Sequence, residues 1–231
     1  MNKIPKIIHQ TWKDTNIPSH LSPLIDTWKE NHPDWEYMLW TDDINRTFME
    51  KYHPDFVSVY ENYPHNIQRV DAVRYFILYE FGGVFIDMDF ECIANIESLL
   101  NDYRCVLGLE PAQHCERHNK PIIVCNAFMA CTAKNDFFNK VCTELKNTEC
   151  YNANTPPWLE ILESTGPFKL THIYNNYNNK NEIKLLSSDT IYPLSLNETR
   201  ELINNDENVS MEIQRKIEQS YAVHYFLGSW W

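Results

Sequence analysis

The chain alternates between short apolar runs and longer stretches with apolar residues every three or four positions. Residues 3–12 (KIPKIIHQTW) predict a first strand, with β-branched Ile7 and Ile8 following Pro5. Residues 21–30 predict a short helix. Residues 35–40 predict a second strand, ended by Thr41-Asp42-Asp43, which caps a helix over 42–51. Over 66–81 the residues Val70, Val73, Ile77 and Phe81 keep helical spacing until Gly82-Gly83 stops the helix. Val84-Phe85-Ile86 is then wholly apolar, the pattern of a strand covered on both faces. Residues 104–109 and 122–130 predict further strands and 135–147 a helix. Residues 175–181 form a polar loop, and 197–219 are helical and charged. No repeat or linker interrupts residues 1–231. Strands alternating with helices predict one α/β domain with a mainly parallel central sheet flanked by helices.

Composition narrows the possible partners. The chain has 231 residues and a formal net charge of −12. A domain of this size buries roughly 70% of its unfolded surface, so it needs neither disulfide nor metal merely to fold. The negative charge argues against nucleic acid and against an anionic membrane surface, which recruit lysine and arginine clusters. It leaves room for a divalent cation held by carboxylates. No apolar run approaches the roughly 20 residues needed to span a bilayer, and Met1–Pro5 carries no apolar signal core. The seven cysteines form no CxxC pair, which suits free thiols in a reducing compartment. The expected setting is cytoplasmic, and the sequons at Asn45, Asn197 and Asn208 are nominal.

Only five glycines occur, and three of the positions they mark frame the chemistry: Gly82-Gly83, Gly166 and Gly228. The first pair leads through the apolar run into Asp87-Met88-Asp89. On an extended chain, Asp87 and Asp89 project to one side and Met88 to the other. Ligands of α/β sheets bind beyond the carboxyl ends of strands. Two carboxylates there repel each other unless a hard cation such as Mn²⁺ or Mg²⁺ sits between them. Asp71 and Arg74, three apart on the preceding helix, share a face that can look toward the same pocket. There Arg74 suits phosphate or ribose oxygens and Asp71 suits sugar hydroxyls. A haloacid-dehalogenase motif wants Thr or Val two residues after the second Asp, where this chain has Glu91. An EF-hand needs a third oxygen ligand and a glycine, which are absent.

Three segments together carry a resemblance: Ile4–Trp12 (IPKIIHQTW), Arg69-x-Asp71-x-x-Arg74, and Gly82-Gly83-x-x-x-Asp87-x-Asp89. With them the chain resembles family 32 glycosyltransferases, the DXD sugar-binding enzymes. These include the initiating α-1,6-mannosyltransferase and α-1,4-galactosyl- and N-acetylglucosaminyltransferases, with clostridial glucosylating toxins as distant relatives. The likeness spans residues 3–130 and returns at Thr165-Gly166-Pro167 and at residues 224–230. It implies a GT-A-like nucleotide-sugar-binding domain, Mn²⁺ or Mg²⁺, and retention of anomeric configuration. It also implies a donor-binding core over 1–130, a helical acceptor side over about 131–220 and a C-terminal lid over 221–231.

Carried over position by position, Asp87, Asp89, Asp71 and Arg74 would be the catalytic group. Asp87 and Asp89 would hold the metal, with His224 as a third ligand, and His224 or Ser229 would approach metal or diphosphate. His9, Gln10, Thr11, Trp12 and Gly83 would border the donor's nucleotide, with Trp12 offering its flat face to the base. Asn126 and Gly166 would line the sugar site. Trp230 or Trp231 would cover the leaving group, excluding water. His114-Cys115-x-x-His118 has loose metal-ligand spacing but lies in a polar loop without a second cluster. The expected reaction moves a hexosyl unit from a nucleotide-diphosphate sugar, UDP favoured and GDP-mannose next, to a glycan or other hydroxyl acceptor. A toxin-like protein glycosyltransferase and a non-catalytic nucleotide-sugar-binding module are the alternatives.

Overall fold

The computed structural model describes residues 3–147, 155–204 and 209–228. Eight strands occur among them: β1 (Ile7–Thr11), β2 (Glu36–Trp40), β3 (Gly83–Ile86), β4 (Phe90–Cys92), β5 (Cys105–Leu109), β6 (Val124–Cys131), β7 (Ile183–Leu186) and β8 (Ala222–His224). Six of them form one sheet in the order β2-β1-β3-β6-β5-β7. Only β6 runs against the others, so the sheet is mostly parallel. β4 and β8 form a separate antiparallel ribbon. Among the described residues no helix is long and apolar enough to cross a membrane.

β3 is central, and all four of its residues are buried. Phe85 faces one core layer with Phe76, Val73 and Phe138, while Val84 and Ile86 face the other with Trp28, Phe90 and Tyr192. This two-sided burial explains the unbroken apolar run. The Asn66–Phe81 helix packs on the first layer. Every side chain from Asp71 to Leu78 is buried, because the helix also meets the Asp136–Lys146 helix and the Pro157–Ser164 helix. Two charged residues, Asp71 and Arg74, thereby lie within the protein.

The stop after this helix has a steric cause. Gly82 and Gly83 take φ of 66° and 95°. A Cβ on Gly83 would come 2.7 Å from the Ile7 carbonyl oxygen and 3.0 Å from His9 Nε2. The bare backbone lets β3 pair closely with β1.

Several elements differ from the sequence expectation. The first strand is shorter than residues 3–12, spanning Ile7–Thr11. The charged helical stretch is two helices, Leu196–Asn204 and Met211–Glu218. Residues 183–186, on the side expected to be helical, add β7 to the sheet edge beside β5. β4, β7 and β8 are three or four residues long, too short for periodicity to register.

Candidate active site

Asp87 and Asp89 sit where β3 ends. The chain turns there: the Phe90 N–H donates to the Asp87 carbonyl (3.3 Å) and β4 begins. The two carboxylates therefore converge through a turn, whereas strand alternation was the expectation. Met88 points away into an apolar cluster with Leu21, Ile25 and Trp12. The turn is held from two sides. The Asp87 N–H donates to the Ala127 carbonyl on β6 (2.9 Å). The Gln10 amide donates to the Asp87 carbonyl (3.2 Å), and its oxygen accepts from Tyr37 (2.8 Å).

The ribbon brings in His224. β4 pairs with β8 so that Phe90 lies opposite His224. The imidazole stacks on the Phe90 ring at 4.5 Å and 14°. His224 Nε2 is 3.0 Å from Asp89 Oδ1, and the Leu227 N–H donates to Asp89 Oδ2 (2.9 Å). One ligand atom from each of Asp87, Asp89 and His224 falls within 4.8 Å of the others. Two carboxylates and an imidazole form a donor set that suits Mn²⁺, with Mg²⁺ served mainly by the oxygens. His224 Nδ1 is buried without a partner among the described residues.

Behind this trio lies a buried charge network. Arg74, 2% exposed, places Nη1 3.0 Å from Asp87 Oδ1 and Nη2 3.3 Å from Asp71 Oδ1. Nη1 also donates to the Asn126 carbonyl (2.9 Å), and the guanidinium lies over the Phe85 ring at 4.7 Å. Asp71, 5% exposed, accepts from the Asn126 amide (2.9 Å) and the Thr165 hydroxyl (3.2 Å). Asn126 reaches this point because β6 is the reversed strand: its start lies beside the end of β3.

Burial raises the Asp87 carboxyl above its ordinary range, and the nearby charge of Asp89 adds to this against the pull of Arg74. Burial acts on Asp89 too, but the charge and hydrogen bond of His224 and the Leu227 N–H outweigh it, and the carboxyl lies below its usual range. Burial alone would lower His224; the charge of Asp89 and its hydrogen bond outweigh that and raise it. Asp71, Asp87 and Asp89 face one permanent cation, Arg74, so two negative charges remain. A divalent cation matches that remainder when His224 is neutral. On charge and donor chemistry the residues fit the metal.

The other expected residues lie as follows. His9 is fully buried: its Nε2 meets the Gly82 carbonyl (2.8 Å) and its Nδ1 accepts from Trp40 Nε1 (3.1 Å). Both nitrogens are used inside the core, so His9 shapes the β1–β3 junction instead of facing a nucleotide. Gly83 serves the same junction. Gln10 is buried behind the Asp87 turn, and Thr11 is buried at the end of β1. Trp12 is partly exposed against the Met88 cluster, with its Nε1 unpartnered among the described residues. Gly166 begins the Pro167–Asn175 helix beside Thr165. Ser229, Trp230 and Trp231 lie outside the described residues. His114 Nε2 accepts from the Leu196 N–H (2.9 Å) and its Nδ1–H donates to the Glu110 carboxylate (2.9 Å), which ties a loop and leaves neither ring nitrogen for a metal. Sequence reasoning marked Thr165 only as part of the Thr165-Gly166-Pro167 segment and gave its hydroxyl, which fixes Asp71, no role. It also passed over Leu227, whose contribution is a backbone N–H.

Residues 18–106 match the family described as the glycosyltransferase sugar-binding region containing DXD motif. The chain is 37% identical over 175 residues to inositol phosphoceramide mannosyltransferase 2 of Schizosaccharomyces pombe, covering 75% of this chain and 47% of that protein. It is 38% identical over 181 residues to mannosyl phosphorylinositol ceramide synthase SUR1 of Saccharomyces cerevisiae, covering 75% of this chain and 42% of that protein. The chain thus spans about half the length of the curated relatives it matches. Among solved structures it is similar to PaToxG glycosyltransferase, with a TM-score of 0.52 and 17% identity over 96% of this chain and 90% of that one; this likeness concerns the fold. By motif, by sequence likeness and by architecture, the chain carries the DXD sugar-binding region of glycosyltransferases on a GT-A fold.

Proposed function

We propose that the chain is the catalytic domain of a metal-dependent, retaining mannosyltransferase that uses GDP-mannose and a hydroxyl acceptor. The observation that carries the reading is the Asp87–Asp89–His224 trio at the carboxyl end of β3, backed by Arg74 and Asp71. The sequence favoured a uridine donor. The mannosyltransferase relatives turn the proposal to mannose, whose activated form is GDP-linked. Their names also suggest an inositol ring as the acceptor.

In this reading Asp87, Asp89 and His224 hold Mn²⁺ or Mg²⁺, which when bound stabilises the charge that grows on the departing diphosphate. Arg74 holds Asp87 in place from behind. Asp71, its orientation set by Asn126 and Thr165, accepts hydrogen bonds from donor-sugar hydroxyls. The bond from the anomeric carbon to the diphosphate oxygen breaks. The acceptor oxygen bonds to that carbon on the same face, and its proton passes to the departing diphosphate. Charge develops most in the transition state, so a site preset for it lowers the barrier.

Incubation with GDP-mannose or a panel of UDP-sugars, with Mn²⁺ and with inositol phosphoceramide as acceptor, tests the reading through released nucleotide and mannosylated product. GDP release that requires Mn²⁺ and disappears in Asp89→Asn supports it. Tight GDP binding without release from any donor would leave a binding module and refute transfer.

A further inference from the structure

We propose that the polar cleft between the start of the Asp42–Tyr52 helix and the start of the Asn66–Phe81 helix is the donor's base subsite, and that Asp42 and Arg69 read guanine there. The inference rests on the chain being a nucleotide-sugar transferase, and it adds which base is selected and by which groups.

The cleft has a volume of about 470 Å³ and is lined by Asp42, Arg46, Tyr60, Glu61, Asn66 and Arg69. That volume lies within the roughly 300–1,000 Å³ typical of small-molecule sites. Its place in the fold follows from the backbone. The Trp12 N–H donates to the Trp40 carbonyl (3.0 Å), and the Asp42 N–H donates to the Lys13 carbonyl (3.3 Å). The cleft therefore opens beyond the carboxyl ends of β1 and β2, in the position where open α/β sheets bind nucleotides. Arg69 stands on the helix that carries Arg74. Arg69 lies five positions before Arg74, about 7.5 Å along the axis and about 140° around it, so Arg69 lines the cleft while Arg74 meets the Asp87 turn.

The charges decide which part of the donor fits. Arg46 is taken up by Glu61 (2.9 Å) and Glu50 (3.2 Å). Arg69 is held by Asn66 Oδ1 at Nε (3.2 Å) and by the Tyr63 carbonyl at Nη1 (2.8 Å). No carboxylate forms an ion pair with Arg69 among the described residues, so the rest of its fork is free for a ligand. Asp42 and Tyr60 both sense Arg69: burial raises each of them, and the Arg69 charge opposes that rise. Asp42, Tyr60 and Arg69 thus share one space. The carboxylates of Asp42, Asp43 and Glu61 repel a phosphate, so the uncharged end of the nucleotide belongs here.

Guanine presents two faces that complement this pair. Its N1–H and 2-amino group are adjacent donors that one carboxylate accepts together. Its O6 and N7 are adjacent acceptors that a guanidinium fork matches. Uracil offers a single ring N–H between two carbonyls and leaves one carboxylate oxygen unused. A bidentate pair of this kind discriminates between bases by about tenfold or more.

Isothermal titration of the full chain with GDP, IDP and UDP in Mn²⁺ tests the proposal. IDP lacks only the 2-amino group. The wild-type protein is expected to bind GDP at least about tenfold more tightly than IDP or UDP, a comparison that needs no variant. Asp42→Asn is expected to erase the preference for GDP over IDP. Arg69→Met is expected to weaken both purine nucleotides alike. Asp89→Asn is expected to weaken all three diphosphates by a common factor; if it leaves them unchanged, the metal reading fails while the GDP-to-IDP ratio still tests the cleft. UDP binding as tightly as GDP, or an unchanged GDP-to-IDP ratio in Asp42→Asn, overturns the proposal. So does an Asp42→Asn effect on acceptor KM alone, which would make the cleft an acceptor site.

Discussion

Replacing Arg74 with Met keeps most of the side-chain volume and removes one buried positive charge. In the native site that charge meets Asp87 at 3.0 Å and Asp71 at 3.3 Å, and it also donates to the Asn126 and Val70 carbonyls. Breaking a buried ion pair by deleting one partner costs about 3–5 kcal/mol, because the abandoned charge remains desolvated. The two carboxylates bear this loss unequally. The Asp87 side chain is 28% exposed and can draw on water, whereas that of Asp71 is 7% exposed and cannot. Asp71 keeps the Asn126 amide and the Thr165 hydroxyl, which caps the cost near 4 kcal/mol. For a chain of this length each kcal/mol moves the midpoint by about 2–4 °C, so Arg74→Met should melt roughly 6–16 °C early. Guanidinium unfolding followed by tryptophan fluorescence gives the free energy directly. Asp71→Asn removes the stranded charge, so the double variant should be at least about 1 kcal/mol more stable than additivity of the two single changes allows. Arg74→Lys retains charge without the fork and should fall between Met and the native residue. A loss below about 1 kcal/mol for Arg74→Met, or strict additivity with Asp71→Asn, would refute the view that Arg74 balances this acidic site.

Three further outcomes follow from the same structure. Saturating Mn²⁺ at about 100 times its Kd should add about 2.7 kcal/mol of stability; differential scanning calorimetry should show this in the native chain and not in Asp89→Asn, and equal shifts in both would place the ion elsewhere. His9 titrates near 6.5 in the unfolded chain and near 4 in the fold, because burial disfavours its charge more than the Gly82 carbonyl favours it. The unfolded chain holds the extra proton between those values, so acidification through that window should cost up to about 3 kcal/mol; urea midpoints from pH 7 to 4 should show a slope that flattens in His9→Gln. Gly83→Ala forces a side chain at φ 95° against the Ile7 carbonyl and should cost about 3 kcal/mol; a denaturation midpoint within error of the native one would contradict the close β1–β3 packing.

The parts of this molecule that were legible in sequence are those whose cause is local. The helix before Gly82 and the apolar run of β3 announce themselves because adjacent residues carry the signal: helical spacing up to a glycine pair, then an unbroken apolar run. His9 shows where that reasoning stops. Its position midway along β1 is equally compatible with a pocket and with the core, and only the arrival of Gly82 and Trp40 at its two nitrogens decides the matter. The acidic pair is visible for a similar local reason, being two residues apart. The groups that meet it are not local: Arg74, which helix spacing already turned toward the same pocket, lies thirteen residues upstream, and His224, to which only the family resemblance pointed, is 135 residues away from Asp89, delivered by a ribbon of three residues per strand. A motif can therefore show where negative charge collects, while the tertiary fold determines how that charge is neutralised. The chemistry depends on this second step. Arg74 fills the space behind Asp87 and Asp71, and the remaining charge faces the open end of β3, where a cation and a diphosphate can meet it.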